Sequence, residues 1–498
     1  MNVNPITRLD YPDPDVIRVE DTYYMVSTTM HFMPGCEILQ SFDLVHWEHV
    51  TYVYETLDHT DAQQLKSGQN IYGQGMWAAS LRYHEGRFYI CFVANDTRKT
   101  YLYTSEKIDG PWKKQLIEGF YHDGSLLFDE DGRNYIVYGN DEIWITELNE
   151  DLTAPKKDGL HRLLVSDHKN PELGYEGSHI QKINGYYYIF LVHSLRDRWM
   201  RTEACFYSDS LEGEFTGGDV LCDDRGYCGQ GVAQGGIVDT PDGKWYAMLF
   251  QDSGAVGRIP ILLPVTWKNH FPFFGQNGHV PEEIEVHSTR PGYIYQPLVG
   301  SDDFCNGLLP RWQFNHDPDP RYYHLDALQG TYTITTREVC TELTQAVNTL
   351  TQRMSYPSCA AEVTVDASAL KEGDVAGLCA LQSCYAAVGI TKHHGKYEVL
   401  MLDKKEDGIL DMTEGTVVES HQMDFRLEAD FCNMKDEARC YYRVNKGDWL
   451  PIGTVHKLYF KLDHFTGCRF GLFCYAAEET GGSACFRDFK YYDVDEIS

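Results

Sequence analysis

The sequence predicts an all-β protein: a five-bladed β-propeller over residues 1–295, followed by a jelly-roll-like β-sandwich over residues 300–498. Three observations carry that expectation. A single hairpin plan recurs five times before residue 300, short alternating strands without that plan fill the rest, and no stretch has the period of a long amphipathic helix. The 34 tyrosines lean the same way, since aromatic side chains suit strands.

The five copies are "VIRVEDTYYMVSTTM" from Val16, "LRYHEGRFYICFVAN" from Leu81, "LLFDEDGRNYIVYGN" from Leu126, "IQKINGYYYIFLVHS" from Ile180 and "IVDTPDGKWYAMLFQ" from Ile237. Each has an apolar strand start, a tight turn and an aromatic-rich strand, which together read as a β-hairpin. The turns are expected to centre on Asp21, Gly86, Gly132, Gly185 and Gly243, where a positive φ costs least. Four copies are followed by a second shared element, "SFDLVHW", "SEKIDGPW", "TELNEDLTAP" and "SDSLEGEF", which reads as an outer strand and its turn. A unit of three to four strands repeated every 45 to 65 residues or so, roughly, matches a propeller blade, which buries both faces against its neighbours. After "RPGYIYQPLVGSDDFCNGLLPRW" the repeat stops. Runs such as "TYTITTREV", "AAEVTVDA" and "RFGLFCYAA", separated by Gly, Asp and Asn turns, then predict the sandwich.

Composition narrows the function. With 74 acidic against 43 basic residues the net charge is −31, which repels phosphate backbones and anionic lipid, so neither nucleic acid nor membrane is an expected partner. A neutral small substrate is easier to reconcile with that charge. "MNVNPITRLDYPDPD" shows no basic stretch leading into an apolar one, no apolar run is long enough to span a bilayer, and the 15 cysteines lack CxxC spacing. These features predict a cytoplasmic protein with buried thiols and neither a disulfide frame nor a zinc site.

In a propeller the innermost strand of each blade starts near the axis, so the residues just ahead of it converge. Three or four positions before the five copies stand Asp13, Trp77, Asp123, Glu176 and Gln234. Convergent carboxylates suit either acid–base work on a glycosidic bond or the binding of a hard cation, and the indole favours a sugar ring to stack on. In such a hydrolase one carboxyl stays protonated as general acid and another ionised as general base, while a third can keep the acid's pKa high by like-charge repulsion. The opening "YPDPDV" and its neighbours hold Asp10, Asp13 and Asp15, and only Asp13 falls in register with Asp123 and Glu176. "DEDG" at 129–132 and the pair His393–His394 read as solvated turns, because neither has the remaining ligands of a metal site.

"YPDPDVIRVEDTYYMVSTT", "MWAASLRYHEGRFYI", "HDGSLLFDEDGRNYIVYG", "YEGSHIQKINGYYYIF" and "GGIVDTPDGKWYAMLF" with "GRIPILLPVTW" resemble the successive blade signatures of glycoside hydrolase family 43. "SDDFCNGLLPRWQFNHDPD" and "HFTGCRFGLFCYAA" resemble the β-sandwich that xylan-active members append, so the resemblance covers nearly the whole chain. It implies Asp13 as the base that activates water, Asp123 as pKa modulator and orienter, and Glu176 as the acid, in an inverting reaction. It also implies Trp77 in the sugar pocket, Arg258 on sugar hydroxyls, Phe32 as an aromatic wall, His179 as a structural pocket residue, and the loop around Phe465 as a contribution from the sandwich. The chain departs from the family where it reads Trp77-Ala78-Ala79 and Glu176-Gly177-Ser178-His179. Gln234 stands where a histidine often helps to hold a central metal, so no cofactor or calcium is expected to be required. The implied function is exo-hydrolysis of terminal β-D-xylose or α-L-arabinofuranose from short xylan-derived oligosaccharides, in a protein whose relatives often form homo-oligomers. The alternatives are an arabinanase or exo-galactanase on the same fold, and a sugar-binding propeller without catalysis.

Overall fold

The structure, a computed structural model, describes residues 2–493; Met1 and residues 494–498, at the ends of the two expected domains, lie outside it. Five four-stranded antiparallel sheets follow one another along the chain, each ordered from its innermost strand outward. The innermost strands are Asp15–Val19, Met76–His84, Ser125–Phe128, Glu176–Ile183 and Ala233–Asp239. Between them run five separate apolar cores, one per blade interface, and period-2 alternation feeds them. In blade four Tyr188 and Phe190 pack towards blade five, while Tyr187, Ile189 and Leu191 pack towards blade three. The ring closes where Val16, Tyr23 and Met25 of blade one meet Val238, Tyr246 and Met248 of blade five. Asn4 adds a polar clasp there, donating to the Leu262 carbonyl at 2.7 Å and accepting from the Leu262 amide at 3.1 Å.

The hairpin turns fall where the repeat places them, with one correction. Gly86, Gly132, Gly185 and Gly243 have φ between 77° and 84°, but in blade one the positive φ, 55°, belongs to Glu20 and not to Asp21. The second shared element is the connection between the third and fourth strands: Ser41, Ser105 and Ser208 end third strands, and Glu48, Lys113 and Thr216 begin the fourth ones. Blade five lacks it because Arg258–Lys268 turns straight into Phe271–Phe274 through Asn269 and His270, both at positive φ.

One arginine closes the axis. Arg82 of blade two donates to Asp15 Oδ2 of blade one at 2.8 Å, to the Leu126 carbonyl at 2.8 Å and Ser125 Oγ at 2.6 Å in blade three, and to the Ile180 carbonyl of blade four at 3.3 Å. Its fork of donors thereby ties four blades together at the centre.

The remaining chain forms a sandwich of a nine-stranded and a seven-stranded sheet around a core that includes Trp312, Val363, Leu378, Phe425 and Phe486. The nine-stranded sheet does not end at the domain boundary. Its last strand is Phe32–Met33, from a blade-one loop, which pairs antiparallel with Phe314 and Asn315. Propeller and sandwich therefore share a sheet edge. Among the described residues the only helical turns are short 3₁₀ segments, and no helix is long and apolar enough to cross a membrane.

Candidate active site

The three aspartates of the opening segment part company in space. Asp10 accepts the Arg258 amide at 2.7 Å and the Gly467 amide at 2.8 Å, so it staples blade five to the sandwich loop that carries Phe465. Burial raises its pKa to about 6, against those amides and the cations of Arg353 and Arg469. Asp15 faces the axis, where Arg82, His179 Nδ1 at 3.1 Å and the Leu81 amide at 2.7 Å surround it. Asp13 turns to the mouth of the propeller, accepting from Thr28 Oγ1 at 2.5 Å and Arg258 Nη1 at 2.7 Å.

The five converging positions reach the mouth by two local devices, which explains why their offset from the repeat varies. Where it is three residues, the residue is left-handed: Asp13, Asp123 and Gln234 have φ of 51°, 47° and 64°. A non-glycine residue held there costs roughly 1–2 kcal/mol, which the surrounding hydrogen bonds must offset. Where the offset is four, the residue is still in the ladder, Trp77 opposite Val93 and Glu176 opposite Val192, and a β-bulge follows before the register resumes at Ser80 and His179. Both devices re-aim a side chain at a strand end.

At the mouth, Glu176 Oε2 accepts Asn140 Nδ2 at 3.0 Å, and Asp123 Oδ2 accepts the Gly177 amide at 2.9 Å. Between the two carboxylates stands His122, its Nε2 3.5 Å from Glu176 Oε2 and 3.6 Å from Asp123 Oδ2. Burial opposes charge on this ring, but Asp123, Glu176 and Asp13 together push its pKa up to about 9. Burial and the neighbouring Glu176 and Asp13 charges raise Asp123 to about 6 against the pull of His122. The carboxyl raised in the unliganded site is thus Asp123. Burial alone would raise Glu176 as well, yet His122, Arg201 and Arg258 outweigh it and hold Glu176 below the usual range. Like-charge repulsion from neighbouring carboxylates is expected to keep the pKa of one carboxyl, the acid's, high; here it acts on Asp123, together with burial, and not on Glu176. His122, Asp123 and Glu176 each bring a donor atom within 4.8 Å of the others, a spacing that would also suit a cation.

Arg258 binds Asp13 on one side and Asp252 Oδ1, at 3.2 Å, on the other, and Asp252 also pairs with the buried Arg201. Its guanidinium lies over the Phe465 ring at 3.8 Å, and Phe465 meets Trp77 edge-on at 5.2 Å. The sandwich therefore puts a ring between two propeller side chains of the site. The Gln234 side chain lies against Gly177, and its backbone N–H donates to Glu203 Oε2 at 2.7 Å; Glu203, deeply buried, has its pKa driven well up by desolvation. His179 is bound to Asp15 beneath the site. Phe32 lies in the domain interface, with Arg469 3.5 Å over its ring and His31 at 4.3 Å. Among the described residues its aromatic and cation–π partners do not include Trp77 or Arg258.

Sequence reasoning missed His122, Asn140, Arg201 and Asp252. A signal was available for two of them. In a hairpin the second strand returns to the end where the first begins, so Asn140 and Asp252, the last residues of the second strands of blades three and five, had to reach the same mouth. Beside Trp77 the mouth opens into a cleft of about 450 Å³ lined by Tyr72, Gln74, Asn95 and, from the sandwich, Ser383, Asp463 and His464.

Two family descriptions match this architecture in sequence: "Glycosyl hydrolases family 43" over residues 3–272 and "Beta xylosidase C-terminal Concanavalin A-like domain" over residues 301–492. The chain belongs to glycoside hydrolase family 43. It is similar to the "Beta-xylosidase" of Formosa agariphila, at 26% identity over 99% of this chain and 89% of that protein. Among solved structures, "Bifunctional GH43-CE" of Bacteroides eggerthii superposes with a TM-score of 0.92 at 41% identity over the whole of this chain; this chain spans 64% of that one. An engineered family 43 enzyme that displays both endo-xylanase and exo-arabinofuranosidase activity matches over 99% of both chains, with a TM-score of 0.88 and 27% identity. The family 43 propeller and its appended β-sandwich are both present, and the protein is a glycoside hydrolase.

Proposed function

We propose that this family 43 enzyme is an exo-acting, inverting pentosidase that releases terminal β-D-xylose or α-L-arabinofuranose from short arabinoxylan-derived oligosaccharides. Asp13 is the base that takes a proton from water, Glu176 the acid that protonates the departing glycosidic oxygen, and Asp123 the group that orients and tunes them. The observation that carries this reading is the convergence of these three carboxylates at one mouth, beneath a roof that the sandwich supplies through Phe465. A roofed mouth suits the end of a chain better than its middle. Arg258 neutralises Asp13 in the resting site and presents a guanidinium to sugar hydroxyls. The cleft beyond Trp77 would take the rest of a short substrate. The names of the similar proteins, a β-xylosidase and an exo-arabinofuranosidase among them, support the pentose classes.

The test is hydrolysis of aryl β-D-xyloside and aryl α-L-arabinofuranoside by wild type, Asp13→Ala and Glu176→Ala. Each substitution should lower kcat by about 10²–10⁴-fold, the usual worth of general acid–base catalysis, and proton NMR of fresh product should show the inverted anomer. Undiminished turnover in either variant refutes the roles. A retained anomer refutes the inverting reading.

A further inference from the structure

His122 is a titratable side chain at the mouth to which the reading above gives no role, and on that reading it stands beside the acid. It immediately precedes Asp123 and shares the connection into the innermost strand of blade three. Its Nε2 is buried and makes no well-formed hydrogen bond, being 3.5 Å from Glu176 Oε2 and 3.6 Å from Asp123 Oδ2. The ring packs edge-on to Trp77 at a centroid distance of 6.3 Å, which fixes it against the sugar-binding indole. Glu176 Oε2, which also accepts from Asn140, faces the histidine, and Glu176 Oε1 takes part in neither contact. A buried ring nitrogen suspended between two carboxylates, short of contact with either, can carry a proton to them with little movement.

We infer that His122 is a positioning residue for Glu176 that stores the catalytic proton and loads the acid during glycosidic cleavage. In the step, the Nε2 proton of the imidazolium moves to the ionised Glu176 at Oε2. The C1–O bond breaks with its electron pair passing to the oxygen, which takes that one proton from Glu176 and leaves as an alcohol, so Glu176 returns to the carboxylate and His122 is left neutral. Water attacks C1 from the opposite face and gives its proton to Asp13. Release of that proton from Asp13 to solvent and uptake of one by His122 restore the resting state, so one water is consumed and no net proton is produced.

The charges around the relay decide where the proton rests. Asp13, Asp123 and Glu176 face His122 from blades one, three and four, and Arg201 and Arg258 face Glu176 from blades four and five. With His122 charged, the single proton of the group is held until His122 itself titrates, near pH 9. Without the ring that proton belongs to the Glu176–Asp123 carboxylate pair alone, which no longer has an imidazolium beside it to hold the proton.

The experiment compares wild type with His122→Gln, which keeps an N–H near Nε2, and His122→Phe, which keeps the packing on Trp77. In both variants the basic limb of the kcat/KM profile should move to lower pH by about one unit or more, since that limb reports loss of the acid's proton in the free enzyme. The loss of rate should be about tenfold for a poor leaving group and should vanish for a dinitrophenyl glycoside, whose departure needs no proton. A basic limb that stays in place, in either variant, overturns the proposal, as does an equal loss on both leaving groups. The histidine itself provides a readout that survives failure of the pentosidase reading: side-chain NMR titration of wild type and Glu176→Gln with histidine labelled at Cε1. The His122 midpoint should fall when the Glu176 charge is removed; identical midpoints overturn the inference whether or not either aryl glycoside is a substrate.

Discussion

Phe465→Ala tests whether the sandwich belongs to the active site or merely adjoins it. The ring is 4% exposed, lies 3.8 Å under the Arg258 guanidinium and meets Trp77 at 5.2 Å. A desolvated cation–π contact contributes about 2 kcal/mol, and an edge-on aromatic pair about 1 kcal/mol beyond its buried area. If these about 3 kcal/mol serve to hold Arg258 and Trp77 for the transition state, then at about 1.4 kcal/mol per decade their loss lowers kcat/KM about 10²-fold. Phe465→Leu keeps the volume and loses both ring terms, so it should fall nearly as far. The assay is steady-state hydrolysis of aryl β-D-xyloside alongside thermal unfolding. A kcat/KM within about twofold of wild type for the alanine variant, in protein that melts normally, would refute the reasoning. It would show that Arg258 is held well enough by Asp13 and Asp252 alone.

The other predictions concern charges that hold the propeller. Arg82→Met leaves Asp15 buried with only His179 and an amide to meet it, and should cost about 3–5 kcal/mol of stability, read as a lower urea midpoint. An unchanged midpoint would mean that His179 and the Leu81 amide meet the Asp15 charge by themselves. Asp58 has its pKa lowered to about 2, because Lys114, Lys99 and the Tyr101 hydroxyl outweigh the effect of its burial. A carboxyl lower in the folded than in the unfolded chain adds stability above its unfolded pKa and loses it as the pH falls towards the folded one. Because its lysine partners are half-exposed and screened by solvent, Asp58→Asn should cost about 1 kcal/mol near pH 6 and progressively less below about pH 4, checked by urea unfolding across that range. A cost that does not shrink with acid would place the effect in packing instead.

Much of this protein was legible before any coordinates. The blades could be read because each hairpin repeats one alternating pattern, and alternation is all that a strand needs to bury both faces between neighbours. Asp13, Asp123 and Glu176 could be read because strand starts in a propeller converge by symmetry. His122 could not, since a histidine beside an aspartate has no periodic signature, and its meaning depends on Glu176, which lies 54 positions further along the chain. The same holds for Phe32, which the resemblance assigned to the pocket wall. Its loop pairs with Phe314 and Asn315 of the sandwich, and that non-local pairing puts the ring under Arg469.

The opening segment shows where the line falls. By itself the sequence determined that three aspartates precede a first blade and that Asp13 alone is in register with the other carboxylates, because register along a strand is a local, countable property. Only the tertiary structure decided what the other two do and which charges surround the mouth. Asp10 is defined by amides from Arg258 and Gly467, Asp15 by Arg82 and His179, and the surroundings of Glu176 by His122, Arg201 and Arg258. Those partners come from distant parts of the chain, and the interaction between charges depends on distance and burial in space, neither of which is a function of spacing along the sequence.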